Sequence, residues 1–149
     1  ERQARAAVRL NLPLVVHSRD AEEDTIDILR RCVPAEHPVY LHAYTGPHDA
    51  EMLGTFLAEW PNSVVGIAGA VTYATARNLH ALARELPLER LLLETDGPYM
   101  APEPHRWDHT HPGHIPWIAD AVARAKHVSV VEVLTVTASN FRRFYRLHE

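Results

Sequence analysis

Four short apolar runs, each followed by a helical pattern and set at a nearly constant interval, leave this chain few folds to adopt. The runs are Leu12 to His17 (LPLVVH), Val39 to His42 (VYLH), Ser63 to Ala70 (SVVGIAGA) and Leu91 to Asp96 (LLLETD). Each is close to continuous in hydrophobicity rather than alternating, the pattern of strands covered on both faces. Behind the second run, Leu53, Phe56, Leu57 and Trp60 recur at i, i+3, i+4 and i+7 and place one apolar stripe on a helix. Behind the third, Leu79, Leu82, Ala83 and Leu86 repeat the spacing. Strand ends at His17, His42, Gly69 and Asp96 fall 25, 27 and 27 residues apart, the length of one βα unit. Successive βα units build a parallel sheet covered by helices, either an open doubly wound sheet or a closed barrel. A TIM (β/α)8 barrel takes eight units and about 250 residues. Four units in 149 residues are half of one. Glu1 to Leu10 reads as a helix closed by Asn11 and Pro13, so the chain is expected to start mid-fold, after an earlier strand. With no internal low-complexity linker, residues 1–149 are expected to form a single domain.

Composition narrows the function classes. There is no run of eighteen apolar residues and no basic segment leading into an apolar one, so neither a membrane span nor a signal peptide is read and a cytoplasmic protein is expected. A formal charge of -4 argues against a generally basic surface for gripping phosphates. Nucleic-acid binding would need local cations or bound metal ions. The single cysteine, Cys32, lies in an apolar helical stretch and reads as core packing. Lys126 is the only lysine, whereas histidines number eleven. Their placement becomes the informative question.

His17, His42 and Asp96 each end a predicted parallel strand, which puts all three on one face of the sheet. In barrel enzymes that face carries the chemistry. Imidazole and carboxylate hold zinc, manganese or magnesium, and ligands from separate strands suit an open catalytic site. Glu94, two residues before Asp96, points to the same side, and a buried Glu94 calls for a partner such as Arg19 or for a raised pKa. His105, His109, His111 and His114 lie in a Pro-rich loop after Asp96 and read as solvated side chains rather than a second metal site. Ser18 beside His17 and Asp20 supplies triad residue types without the oriented hydrogen-bond chain a triad needs. Arg106 and Trp107 could meet a phosphate and stack on a base, or simply pack on the rim. Ser129 with Glu132 three residues on predicts the start of the last helix, whose stripe is read as Val133, Val136, Phe141 and Phe144. No glycine-rich phosphate loop or cysteine-based zinc motif is present.

The segments His17-Ser18-Arg19-Asp20-Ala21, His42-Ala43-Tyr44-Thr45-Gly46 and Glu94-Thr95-Asp96-Gly97-Pro98-Tyr99 resemble, in order, three signatures of TatD-type metal-dependent hydrolases. Asn140 to Tyr145 is similar to the family's closing Asn-x-x-x-Phe segment, and the resemblance extends over essentially the whole chain. It implies the C-terminal part of a TIM barrel with two divalent ions (Zn, Mg or Mn), cleaving the phosphodiester bonds of DNA. On that resemblance His17 and His42 would bind one ion, and Asp96 would bind the other and position or deprotonate the attacking water. This sequence departs from the family at Ala43-Tyr44, where Cys-Phe is usual, at Pro47, where Ser is, and at Gly97, where Ala or Ser is commoner. The family's His-x-His pair and bridging Glu have no counterpart here, so the missing N-terminal half of the same barrel is an expected partner and the fragment alone should be catalytically poor. Two other functions remain open: a metal-dependent amidohydrolase with a small substrate, since fold does not fix substrate, and an inactive truncated half-barrel.

Overall fold

The computed structural model describes residues 1–45 and 50–147. Gly46 and Pro47, which belong to the second signature and its flank, lie outside the described residues. Helix α1 (Arg2–Arg9) leads into β1 (Leu14–His17), α2 (Glu22–Cys32), β2 (Val39–His42), α3 (Ala50–Glu59), β3 (Val64–Ile67), α4 (Arg77–Glu85), β4 (Leu91–Leu93), α5 (Ile115–Lys126) and α6 (Val130–Tyr145). The strands are parallel and lie in the order β1-β2-β3-β4. A doubly wound sheet reverses its strand order to put helices on both faces. Here the order never reverses, so crossovers of one hand place the connecting helices α2, α3 and α4 on one side.

The register fixes which residues share a face. Leu14 pairs with Val39, Val16 with Leu41 and Val65 with Leu91. These residues join Ile26, Leu29, Phe56, Leu79, Ala83, Ile118, Val122 and Val133 of the helices in the main core. The opposite, inner face carries Val15 and His17 of β1, in register with Tyr40 and His42 of β2, and then Val64 and Gly66 of β3. Tyr40, Val64, Leu92 and Phe144 form a second, smaller buried cluster there. Tyr40 is buried within it, whereas Val15 on the first strand is 47% exposed. Cys32 is buried among core residues, as expected.

Three elements differ from the expectation for identifiable reasons. The β4 strand ends at Leu93, so Glu94 to Asp96 form the exit from it, and Gly69 opens a 3-10 turn (Gly69–Thr72) rather than closing a strand. In α6 the buried face is Val133, Thr137, Asn140 and Phe144, while Phe141 is 47% exposed. A helical stripe at i, i+4, i+7, i+11 is regular, but two of its members are polar. Thr137 satisfies its hydroxyl on Val133 O (2.8 Å), and Asn140 Nδ2 donates to Leu88 O and Leu91 O (2.8 and 2.9 Å) at the entry of β4. The predicted N-cap holds, with Ser129 Oγ accepting from the Glu132 N–H at 3.0 Å. Among the described residues no helix is long and apolar enough to cross a membrane.

Candidate metal centre

The strand exits bring three of the singled-out residues to one end of the sheet. His17 and His42 are register partners, and their rings lie 5.9 Å apart between centroids. Asp96, two strands further on, reaches His42: its Oδ1 lies 3.1 Å from Nε2. The backbone supports this reach, since Asp96 adopts a left-handed φ of 53° just after the short β4. Gly97 follows, with no room for a side chain because a Cβ there would lie 2.9 Å from Thr110 O.

Glu94 stands behind the pair, with its side chain 12% exposed. Its Oε2 accepts from His42 Nδ1 at 2.7 Å and from the Tyr40 hydroxyl, and its Oε1 accepts from the Ala43 N–H. The expected partner Arg19 is instead an exposed residue of the β1 exit. Three donors from β2 and its exit satisfy the carboxylate. Ala43 turns its N–H there with a left-handed φ of 44°. Burial, and then the adjacent Glu94 charge, push the Tyr40 phenol well above its ordinary range, so it is a hydrogen-bond donor at all working pH.

This arrangement determines which way the imidazole faces. With its Nδ1 proton held by Glu94, a neutral His42 presents the Nε2 lone pair to Asp96 Oδ1. Nε2 and Oδ1 are then two acceptors 3.1 Å apart, an unfavourable pair that a divalent cation placed between them turns into a favourable one. Imidazole and carboxylate oxygen bind divalent ions at about 2.0–2.2 Å, so ligand atoms at this separation can share one. A carboxylate behind the histidine is also the usual support for a metal-bound ring. His42 and Asp96 therefore fit a divalent ion, with His17 alongside. Among the described residues no group of three or more His, Cys, Asp and Glu side chains is arranged to hold one.

The other candidates resolve differently. Ser18 Oγ pairs with Thr25 Oγ1 at 2.8 Å, which ties the β1 exit to α2 and leaves it out of any triad. His37 and His80 each bond a backbone carbonyl, Leu12 O and Val71 O, in structural roles. In the Pro-rich loop His114 is buried between His105 and His111, with ring centroids at 4.8 and 4.1 Å, and its Nδ1 pairs with Thr110 Oγ1. Its burial and then those two neighbouring rings hold it below the usual histidine range, with Asp108 opposing. That loop is fastened to the exit of β3: Tyr73 donates to Ala101 O, the Glu103 N–H donates to Thr72 Oγ1, and Arg106 lies 4.2 Å over the Tyr73 ring. Trp107 is left 94% exposed. Tyr40 and Gly66 escaped the sequence reading, although Tyr40 lies two residues before His42 and strand alternation places both on one face.

Residues 1–146 match the family model described as TatD related DNase. The chain is 39% identical over 138 residues to the uncharacterized metal-dependent hydrolase YcfH of Escherichia coli K12, covering 93% of this chain and 51% of that protein. It is 33% identical over 150 residues to the human 3′-5′ RNA nuclease TATDN2, covering 99% of this chain and 19% of that one. Among solved structures, YJJV, a TatD homologue from Escherichia coli K12, superposes with a TM-score of 0.86 at 22% identity, covering 98% of this chain and 54% of that one. The chain thus spans about half the length of YcfH and of YJJV.

Proposed function

The chain belongs to the TatD related DNase family, and from that membership we propose that it forms the C-terminal half of a TIM-barrel, metal-dependent hydrolase that cleaves phosphodiester bonds in DNA. The observation that carries the reading is the approach of His42 Nε2 and Asp96 Oδ1 to 3.1 Å, with Glu94 fixing the far side of the imidazole. It is supported by relatives named as metal-dependent hydrolases and, in one case, as a nuclease. His42, Asp96 and His17 would hold divalent metal, with further ligands supplied by the half of the barrel that the relatives possess beyond the matched span. The ions' contribution when bound is to lower the pKa of water towards roughly 7 and to neutralise the phosphodiester charge.

The chain's own residues do the rest. Glu94 orients His42, while Asp96 sits at the mouth of the sheet where its free oxygen can accept a proton from an attacking water. Nothing basic in the overall charge of -4 attracts a polyanion, so the substrate phosphate would be drawn to the metal ions and to local cations such as Arg106. In the natural gene product, Asp96→Asn should reduce metal-dependent DNA hydrolysis by at least about 100-fold, since even outer partners of metal ligands act on a scale of 10- to 100-fold. Unchanged turnover would sink the proposal. The human relative's name specifies RNA, so single-stranded DNA and RNA of one sequence should be compared, with small amides and lactones assayed beside them. A preference for RNA would keep the chemistry and change the substrate, whereas turnover of the small compounds alone would point to an amidohydrolase.

A further inference from the structure

We propose that Tyr40 is a positioning residue for His42, acting through Glu94, and that Gly66 is the gap in the sheet that lets them meet. The inference rests on the proposed metal centre only for its functional meaning, because the geometry stands without it. A buried tyrosine hydroxyl can be satisfied by any backbone carbonyl. Tyr40 is directed instead at Glu94 Oε2, the oxygen that accepts from His42 Nδ1. The Ala43 N–H holds the other oxygen, so the carboxylate is gripped on both sides and is not free to rotate about its last bond. The phenol ring is held in turn, edge-on to Phe144 at 5.8 Å and within the small inner cluster of Val64 and Leu92. Its hydroxyl is thereby placed by packing rather than by the bond it makes.

The sheet leaves room for this contact at one position. Tyr40 lies on β2 and Glu94 just beyond β4, with β3 between them. A Cβ at Gly66 of β3 would lie 2.5 Å from Glu94 Oε1 and 2.6 Å from the Tyr40 hydroxyl. Any side chain there would push the two apart. A glycine inside a strand is weakening and commonly marks such a close approach. The resulting chain, Tyr40 to Glu94 to His42, selects the Nδ1–H form of the imidazole and leaves Nε2 facing Asp96.

The test is the tautomer of His42 in the metal-free protein, read from long-range 1H–15N spectra of the 15N-histidine-labelled natural gene product above the imidazole pKa. The unsubstituted protein should show the Nδ1–H form, and a predominant Nε2–H form overturns the proposal outright, whatever the variants do. Tyr40→Phe and Gly66→Ala should both shift the population towards Nε2–H, whereas Phe144→Leu, which keeps the hydroxyl, should shift it less. A folded Tyr40→Phe protein with the unsubstituted spectrum overturns the role of Tyr40. In zinc or manganese titrations Tyr40→Phe should weaken binding about 10-fold, the lower end for an outer partner of a ligand, with kcat lowered and KM little changed. The spectroscopic result is obtained without metal or substrate. If the tautomer behaves as stated but no metal binds, the proposed function fails while the positioning role survives. If metal and DNA cleavage are present but the tautomer ignores Tyr40, the reverse holds.

Discussion

At the level of single residues, Glu94 joins β2 to the exit of β4: Oε2 accepts from the Tyr40 hydroxyl and from His42 Nδ1, and Oε1 from the Ala43 N–H. His42 and Asp96 stand at the ends of apolar runs, and strand periodicity alone puts them at one end of the sheet. The partners of Glu94 come from positions 51 to 54 residues away, beyond what local pattern can pair, and charge alone favours the exposed Arg19 over Tyr40. Gly66→Ala should accordingly destabilise the protein by about 1–3 kcal/mol, the cost of inserting an extra methyl into a packed site; urea unfolding would measure it, and an unchanged midpoint would show that the Glu94 contact has slack. His114 makes a pH prediction. Because its folded pKa is lowered, folding is unaffected well above the unfolded value near 6.5. Stability is lost as pH falls through that value towards the folded one, since the unfolded chain takes up the proton first. The groups facing it are His105, His111, Asp108 and Thr110. Replacing His114 by Gln should flatten the decline in melting temperature between about pH 7 and 5; an identical pH profile would assign the loss elsewhere.

At the level of elements, strand number and helix order followed from hydrophobic spacing, while the last helix shows where spacing misleads. Its buried stripe includes Thr137 and Asn140, which hydropathy counts as surface residues, so hydropathy favours Phe141 for the core although it is half-exposed. The resemblance of Asn140 and Phe144 to a family motif now has a physical content: the amide secures the entry of β4 and the ring, one turn on, packs against Tyr40. Asn140→Ala leaves two carbonyls without that donor, one of them deeply buried, and should cost about 1–3 kcal/mol. A melting curve that does not move would mean that solvent reaches Leu88 and Leu91. Asn140 bonds the first residue of β4, and Glu94 follows that strand directly, so the same variant should also weaken metal binding.

For the whole molecule, the parallel sheet keeps its strands in sequence order without the reversal of a doubly wound sheet, which agrees with a segment of a barrel. Metal dependence becomes a stability statement at this scale. An ion that binds only the folded state adds about 2.7 kcal/mol at a hundred times its dissociation constant. For a protein of this size that is roughly 5–10 °C in melting temperature. Removing metal from the natural gene product with a chelator should lower its melting temperature by that order, and His42→Ala should abolish the difference; equal melting with and without chelator would argue that no ion is held. The unbroken strand order has a further consequence, in the timing of folding. Each strand hydrogen-bonds to the one made about 25 residues earlier, so the sheet requires no pairing with a distant later segment within this span. Contacts of such short range form early and quickly. As the polypeptide leaves the ribosome, β1 can therefore serve as a template for β2, and β2 for β3, leaving the meeting of Tyr40 with Glu94 to the moment when the fourth strand arrives.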